Sequence, residues 1–434
     1  MATAWKDQVF AAVSEAAAID TIKLFRPDPA EAAEQKRQFM AGEVRNPRYT
    51  YQALKGKRLG PVLDRLERAI ETDSQLVEEL DTSPLSRLFG ESLERRRALL
   101  RLARAAQSRD MTAFAAANRD LRFEPSEDIF QSILTSLYRR LQADPYGSTE
   151  LLLEILPEHD GTSMLPSHHL IERSRDALLA LKDQMKIPTR VRTKGYWDAQ
   201  YFAWLLERSF KSAGLEGWAP EITTKQARMS MSGIKRRIFI PADRVVPAKT
   251  ALSSLVHERL HAERRYRGEQ TGYFLLSSSG TASNRWAEEG VTTVTEQAVT
   301  GEARFHRGEE AYLATSLAAG LIDGRPRDFR TIYECMVIYY RLIDEERMPA
   351  DRSLETPEER AWIRTNRVFR GTDCQTPGVY YGKDLIYAAG NLNIWALMER
   401  NPERVQYFTA GKFNPADDEE VRVLTQAGLI PALH

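Results

Sequence analysis

The sequence predicts an α+β fold that is mostly helical, and three observations predict it. Apolar residues three and four apart recur through the first 186 residues, the spacing that lines one face of a helix. Apart from a turn and extended piece at 46–51, short β-type runs come after Ile187-Pro188, at 221–224, 227–231 and 236–241, with Ser232-Gly233 as a turn between the last two. Helical patterning resumes near Lys249 and includes an HExxH motif. The expected organisation is therefore a helical N-terminal region over 1–186, then a domain over 187–434 in which a small antiparallel sheet precedes the HExxH helix.

In order, residues 7–25 read as a helix stopped by Pro27 and Pro29, which cannot continue the hydrogen-bond ladder. Helices follow at 30–39, 60–72, 73–80, 91–108, 111–121 and 126–143, most with Asp, Ser or Thr near the start, where such side chains cap free N–H groups. Residues 144–147 form a turn, and 148–156 a short helix. His168-His169 open a helical run to Met185. Adjacent helical residues point about 100° apart, so this pair is read as solvent-facing or capping and not as a chelator. Residues 189–192 look extended, and 198–214 form an amphipathic helix. After the motif, 312–320, 326–345 and 356–368 are helical. A loop then runs to Asp384, a helix covers 384–399, residues 401–408 follow, and the tail ends in a packed segment at 428–431.

With 434 residues and 42% hydrophobic composition, the chain can build one large or two ordinary cores. Lys plus Arg equals Asp plus Glu at 61 each, so no global field recruits nucleic acid or an acidic membrane. No apolar run approaches a membrane span, and the first residues lack the layout of a secretory signal. Two cysteines make no disulfide framework, with Cys335 expected in the core and Cys374 in a loop. A cytoplasmic location is expected.

The chemistry centres on Val256-His257-Glu258-Arg259-Leu260-His261. On a helix, residues four apart stand one above the other, so both imidazoles can share a zinc ion while Glu258 acts as base beside them. The competing reading is a charged solvent face, because Arg259, Glu263, Arg264 and Arg265 share the run. The Ser/Gly-rich stretch 277–283 leads into a second helical pattern at Asn284-Arg285-Trp286-Ala287-Glu288-Glu289-Gly290-Val291. His2Glu zinc peptidases draw their third ligand from such a helix, often a Glu directly before Gly, which favours Glu289, with Glu288 the alternative. Glu296, seven residues on and on the same face, is placed to orient a zinc histidine or to sit in solvent. A strand beside such a helix also offers its edge to an extended peptide.

Several segments together resemble one family, the zinc tyrosine carboxypeptidases that trim the α-tubulin C-terminus and their bacterial QEGLA-motif relatives. They are Asn46-Pro47-x-Tyr49-x-Tyr51, Ile238-Phe239-Ile240-Pro241 ahead of Val256-His257-Glu258, and Glu288-Glu289-Gly290-Val291 in place of QEGLA. Arg367-Val368-Phe369-Arg370-Gly371 and Lys383-Asp384-Leu385-x-Tyr387-x-x-Gly390 continue the series. The chain departs from the family in carrying HExxH where members carry HExxxH. The resemblance implies a zinc metallocarboxypeptidase acting on a peptide or protein C-terminal tail.

In that reaction Glu258 is the general base, and Tyr387 or Tyr381 supplies a hydrogen bond to the developing oxyanion. Arg370 is the leading partner for the substrate's terminal carboxylate, because a guanidinium can bind it with two hydrogen bonds, and Lys383 is second. Two rivals stand beside this reading: a zinc endopeptidase with an open groove, and a peptide-binding module without turnover.

Overall fold

The computed structural model describes residues 24–56, 59–80, 84–142, 149–164, 194–225, 229–278, 280–300, 308–346 and 355–433, with isolated positions at 170, 174, 176, 177, 180 and 192. Residues 7–23 of the helix expected at 7–25, the turn at 144–147, His168-His169 and residues 189–191 of the extended piece expected at 189–192 lie outside the described residues. The chain forms two compact units, one from Met1–Thr82, Leu93–Leu165 and His306–Ala388, the other from Ser83–Ser92, Pro166–Phe305 and Ala389–His434.

The first unit is helical in its described residues, with helices including Pro29–Met40, Met111–Asp120, Glu127–Gln142, Glu309–Ala319, Phe329–Glu346 and Pro357–Val368. Residues expected as two helices, 60–72 and 73–80, are one, Leu59–Leu80. Asp73, which read as a second start, lies inside that helix with 3% of its surface exposed. One part of its core is an aromatic cluster: Phe39 packs edge-on against Phe329 and Tyr333, at centroid distances of 5.3 and 5.0 Å.

In the second unit the chain runs β1 (Tyr196–Asp198), α1 (Ala199–Ala213), β2 (Ala219–Thr223), β3 (Ser230–Ser232), β4 (Arg237–Pro241), β5 (Val245–Pro247) and α2 (Ala248–Gln270). It continues through α3 (Asn284–Thr300), α4 (Leu385–Arg400, from residue 389 in this unit) and α5 (Asp418–Gln426). Asp198 starts α1 by accepting the Tyr201 amide at 2.8 Å, and Gly214 ends it in the left-handed conformation at φ 67°. β4 is the middle strand of a three-stranded sheet. The expected antiparallel pairing occurs between β3 and β4; β1 and β5, not expected from the sequence, also pair antiparallel, and β2 joins β4 in parallel. The chain reverses at β3 and returns beside β2 in its original direction.

Ile238 and Ile240 alternate along β4 and are fully buried against Phe202, Leu205 and Leu206 of α1 and Ala251 and Leu255 of α2. Val256 and Leu260, on another face of α2, pack with Val291 and Val294 of α3 and Ile394 and Trp395 of α4. Helix α2 is thus covered on several sides. That corrects the idea of a solvated charged face: Arg259 and Arg264 have no exposed surface and Glu263 only 6%. Arg264 donates to the carbonyls of Phe408 and Phe413 at 3.0 and 2.8 Å and to Asn284 Oδ1 at 3.0 Å, satisfying a charge that would be costly to bury alone. Helix α5, in a stretch read as tail, begins where Asp417 accepts the Glu419 and Glu420 amides. No helix among the described residues is long and apolar enough to cross a membrane. Both cysteines are free and buried.

Candidate metal centre

Helices α2 and α3 bring together His257, His261 and Glu289, one ligand atom of each lying within 4.8 Å of the others. The two Nε2 atoms are 3.0 Å apart, and Glu289 Oε2 is 3.6 Å from that of His257 and 3.9 Å from that of His261. The side chains are 18%, 12% and 17% exposed, so the group is sheltered yet reachable.

Both rings are held from behind. His257 Nδ1 donates to Glu296 Oε1 at 2.6 Å, and the other oxygen of Glu296 accepts a hydrogen bond from the Ser253 hydroxyl one turn earlier on α2. His261 Nδ1 donates to Glu288 Oε1 at 2.9 Å. Lys412 Nζ sits 2.9 Å from that same oxygen, and Asn284 Nδ2 donates to Oε2 at 3.1 Å. With each Nδ1–H engaged, both Nε2 atoms face each other and Glu289, and a ring that gives up its second proton presents a lone pair there. Glu289 Oε2 is buried and has no hydrogen-bond partner. Converging lone pairs beside an orphaned carboxylate oxygen suit a cation, so the residues fit a metal ion.

The carboxylates around His257 favour positive charge at the site. Burial pushes the His257 imidazole down, but the carboxylates of Glu296, Glu289 and Glu258 outweigh it and raise its pKa to about 9. Burial likewise pushes Glu288 up, but Lys412, His261 and Arg264 hold it well below the usual carboxylate range. Glu258 is half-buried beside His257.

Sequence reasoning reached the histidines, both glutamates of the Glu-Glu-Gly triplet and Glu296. It missed Lys412, which the backbone positions: the Lys412 amide donates to the Leu276 carbonyl at 2.9 Å, and its own carbonyl accepts the Thr281 amide at 3.1 Å. A single lysine in a distant loop carries no signal of that.

Four further predicted residues, Arg370, Tyr381, Lys383 and Tyr387, belong to the first unit. Burial lowers the Arg370 pKa, and the nearby Asp384 charge opposes it. The Tyr381 ring is buried, edge-on to Phe25 and Phe123 at 5.6 and 6.0 Å between centroids. Tyr387 packs against Gly308, where an added Cβ would come within 2.7 Å of the Tyr387 Cβ.

A family model described as microtubule-associated tyrosine carboxypeptidase matches residues 166–433. No curated protein matches the chain. A solved structure of a carboxypeptidase from Pyrococcus furiosus aligns with 98% of this chain and 95% of its own at 12% identity and a TM-score of 0.29, too slight a likeness to bear on the argument. The family match covers well over half of the chain and includes the whole metal centre, and the protein belongs to the microtubule-associated tyrosine carboxypeptidase family.

Proposed function

We propose that the protein is a zinc-dependent carboxypeptidase that removes the C-terminal residue of a peptide or protein tail. The observation that carries this reading is the convergence of His257 Nε2, His261 Nε2 and the unpartnered Glu289 Oε2 in a chain of this peptidase family. Tetrahedral zinc with bonds of about 2.0–2.1 Å spaces its ligand atoms about 3.3 Å apart, close to the separations of 3.0, 3.6 and 3.9 Å. Two imidazoles and a carboxylate are also a donor set that zinc favours.

When bound, zinc supplies Lewis acidity that polarises the scissile carbonyl and acidifies water at neutral pH. The protein's residues do the rest. Glu258 takes a proton from the attacking water on a carboxylate oxygen and returns it to the leaving amide nitrogen. Glu296 and Glu288 fix the tautomers and orientations of the two histidines. Tyr387, with Tyr381 as the alternative, is the proposed donor to the developing oxyanion, and Arg370 and Lys383 are the cations proposed from sequence for the terminal carboxylate. The catalytic domain of this reading is 187–434, and the location is cytoplasmic, in keeping with two free buried cysteines.

The test is mass spectrometry of peptides with randomised C-terminal residues after incubation with the zinc-loaded protein. Loss of single C-terminal residues is expected. Cleavage confined to internal bonds would replace this reading with an endopeptidase, and no cleavage by stoichiometrically loaded protein would leave a binding module.

A further inference from the structure

Arg244 occupies the turn between β4 and β5, and its amide closes that turn on the Pro241 carbonyl at 3.2 Å. Its side chain reaches across to α2, where a terminal nitrogen donates to the Ser254 hydroxyl at 3.1 Å. The guanidinium carbon stands 5.2 Å from the centre of the Phe202 ring, a cation–π contact. Its Nε is buried and makes no hydrogen bond. Among the described residues it has no salt bridge. The one carboxylate whose charge bears on it is Glu258, while burial pulls its pKa below the usual arginine value.

Ser254 and Glu258 are four residues apart and so lie one above the other on α2, about 6 Å along the axis. Arg244 is therefore docked one helical turn upstream of the base, on the base's own face. The C-terminal carboxylate of a substrate lies one residue beyond the scissile carbonyl, and consecutive Cα atoms are about 3.8 Å apart. A cation that captures it must stand within such a reach of the chemistry. A sheltered arginine held by an aromatic ring and a hydroxyl, with no salt bridge of its own among the described residues, is suited to a carboxylate from outside the chain.

We propose that Arg244 is a specificity-determining residue that receives the terminal carboxylate of the substrate, in addition to the cations proposed from sequence. This inference rests on the carboxypeptidase reading. It makes the enzyme's preference for a free C-terminus a property of the β4–β5 turn. Glutamine at position 244 keeps a donor but carries no charge, and lysine restores charge without the fork.

The experiment uses one fluorescent decapeptide ending in tyrosine, as free acid and as C-terminal amide, with the zinc-loaded wild type and the R244Q, R244K and R370A variants. Wild type is expected to cut the acid at least tenfold faster than the amide. R244Q should cut the acid at least tenfold more slowly than wild type with the amide rate unchanged, and R244K should recover part of the difference. On the Glu258→Gln background, affinity for the free acid should fall at least tenfold on adding R244Q. A fold-independent arm maps phenylglyoxal modification of the Glu258→Gln protein, in which the acid peptide but not the amide should protect Arg244. Preference for the acid retained in R244Q, or no protection of Arg244 by the acid peptide, overturns the assignment while leaving the carboxypeptidase reading standing. Equal wild-type rates on acid and amide overturn that reading itself.

Discussion

Oε1 of Glu288 lies 2.9 Å from Nδ1 of His261, so Glu288 acts on the ring's far nitrogen, while its neighbour Glu289 faces the Nε2 pair. Consecutive helical residues point about 100° apart, and the two glutamates accordingly have separate duties. Glu289→Ala should abolish zinc binding, whereas Glu288→Ala should weaken it by about 10–100-fold, the usual effect of losing a carboxylate behind a histidine ligand. Zinc competition against a chelator measures both. Loss of metal in the Glu288 variant alone would shift the third ligand by one residue.

Lys412 extends the same chain. Its side chain is 8% exposed and neutralises a carboxylate that is itself sheltered. Lys412→Met removes the largest of the charges that hold Glu288 ionised, so the carboxylate is pushed toward its protonated form and is a poorer acceptor for His261. Zinc affinity should fall roughly 10–100-fold, as for other partners behind a ligand, with Lys412→Arg losing less. Unchanged affinity in the Met variant would make Lys412 a packing residue only.

Glu258→Gln should keep the metal, since Glu258 is not part of the converging group, yet lose at least about a hundredfold in kcat because the proton acceptor is gone. His257→Ala should lose the metal instead. A Gln variant turning over near the wild-type rate would end the proposed role of Glu258.

Much of this centre was legible because its logic is local. A four-residue spacing aligns His257 with His261 on any helix, and Glu289 and Glu296 share a face seven residues apart. What could not be read is what other segments bring. Whether Glu288 or Glu289 faces the metal depends on the rotation of α3, which packing against α4 determines. Arg244 reads as an ordinary turn residue until the β4–β5 corner lays it on Ser254. The burial of Arg259 and Arg264 is likewise invisible to charge patterning, which cannot show that a helix is covered on several sides. Strands β1 and β5, three residues each, are too short for a period, and the parallel partnership of β2 is non-local pairing.

In the first unit, Arg364 donates to Asp384 Oδ2 at 3.1 Å, and Arg367 donates to Oδ1 at 2.9 Å. Burial would raise the Asp384 pKa, but Arg367 and Arg364 outweigh it and hold the carboxyl far below its ordinary range. A depressed folded-state value stabilises the fold above the unfolded pKa of about 3.9 and loses that contribution as pH falls below it. Asp384→Asn, which leaves Arg367 without its anion and Arg364 with Glu310 alone, should cost about 3–5 kcal/mol at pH 7. The gap from wild type should narrow at pH 3. Urea unfolding at the two pH values measures it, and an equal gap at both would contradict the ion-pair account.

The registration of α3 on α4 rests on two glycines. A Cβ at Gly290 would stand 2.2 Å from the Gly390 carbonyl oxygen, and one at Gly390 would stand 2.2 Å from the Trp286 carbonyl oxygen. Both obstacles are backbone, so no rotamer change relieves them. Reaching the 3.4 Å at which ordinary contact begins requires the helices to part by about 1.2 Å, the difference of those two distances. That parting would stretch the bonds from Asn391 to Thr293 Oγ1 and Gln297 Oε1, both 2.9 Å, and from Trp395 Nε1 to Gln297 Oε1, also 2.9 Å. Gly290→Ala should therefore lower stability by roughly 1–3 kcal/mol, the range for overpacking a filled interior. Because Glu289 precedes that glycine, zinc affinity should fall as well, by at least tenfold. Gly90→Ala is the control: a Cβ there meets nothing within 4 Å, and alanine is favoured over glycine inside a helix by roughly 0.5–1 kcal/mol. That variant should be neutral or stabilising, with zinc binding unchanged. A Gly290 variant that binds zinc like wild type would show that α3 reaches its rotation without the close contact to α4.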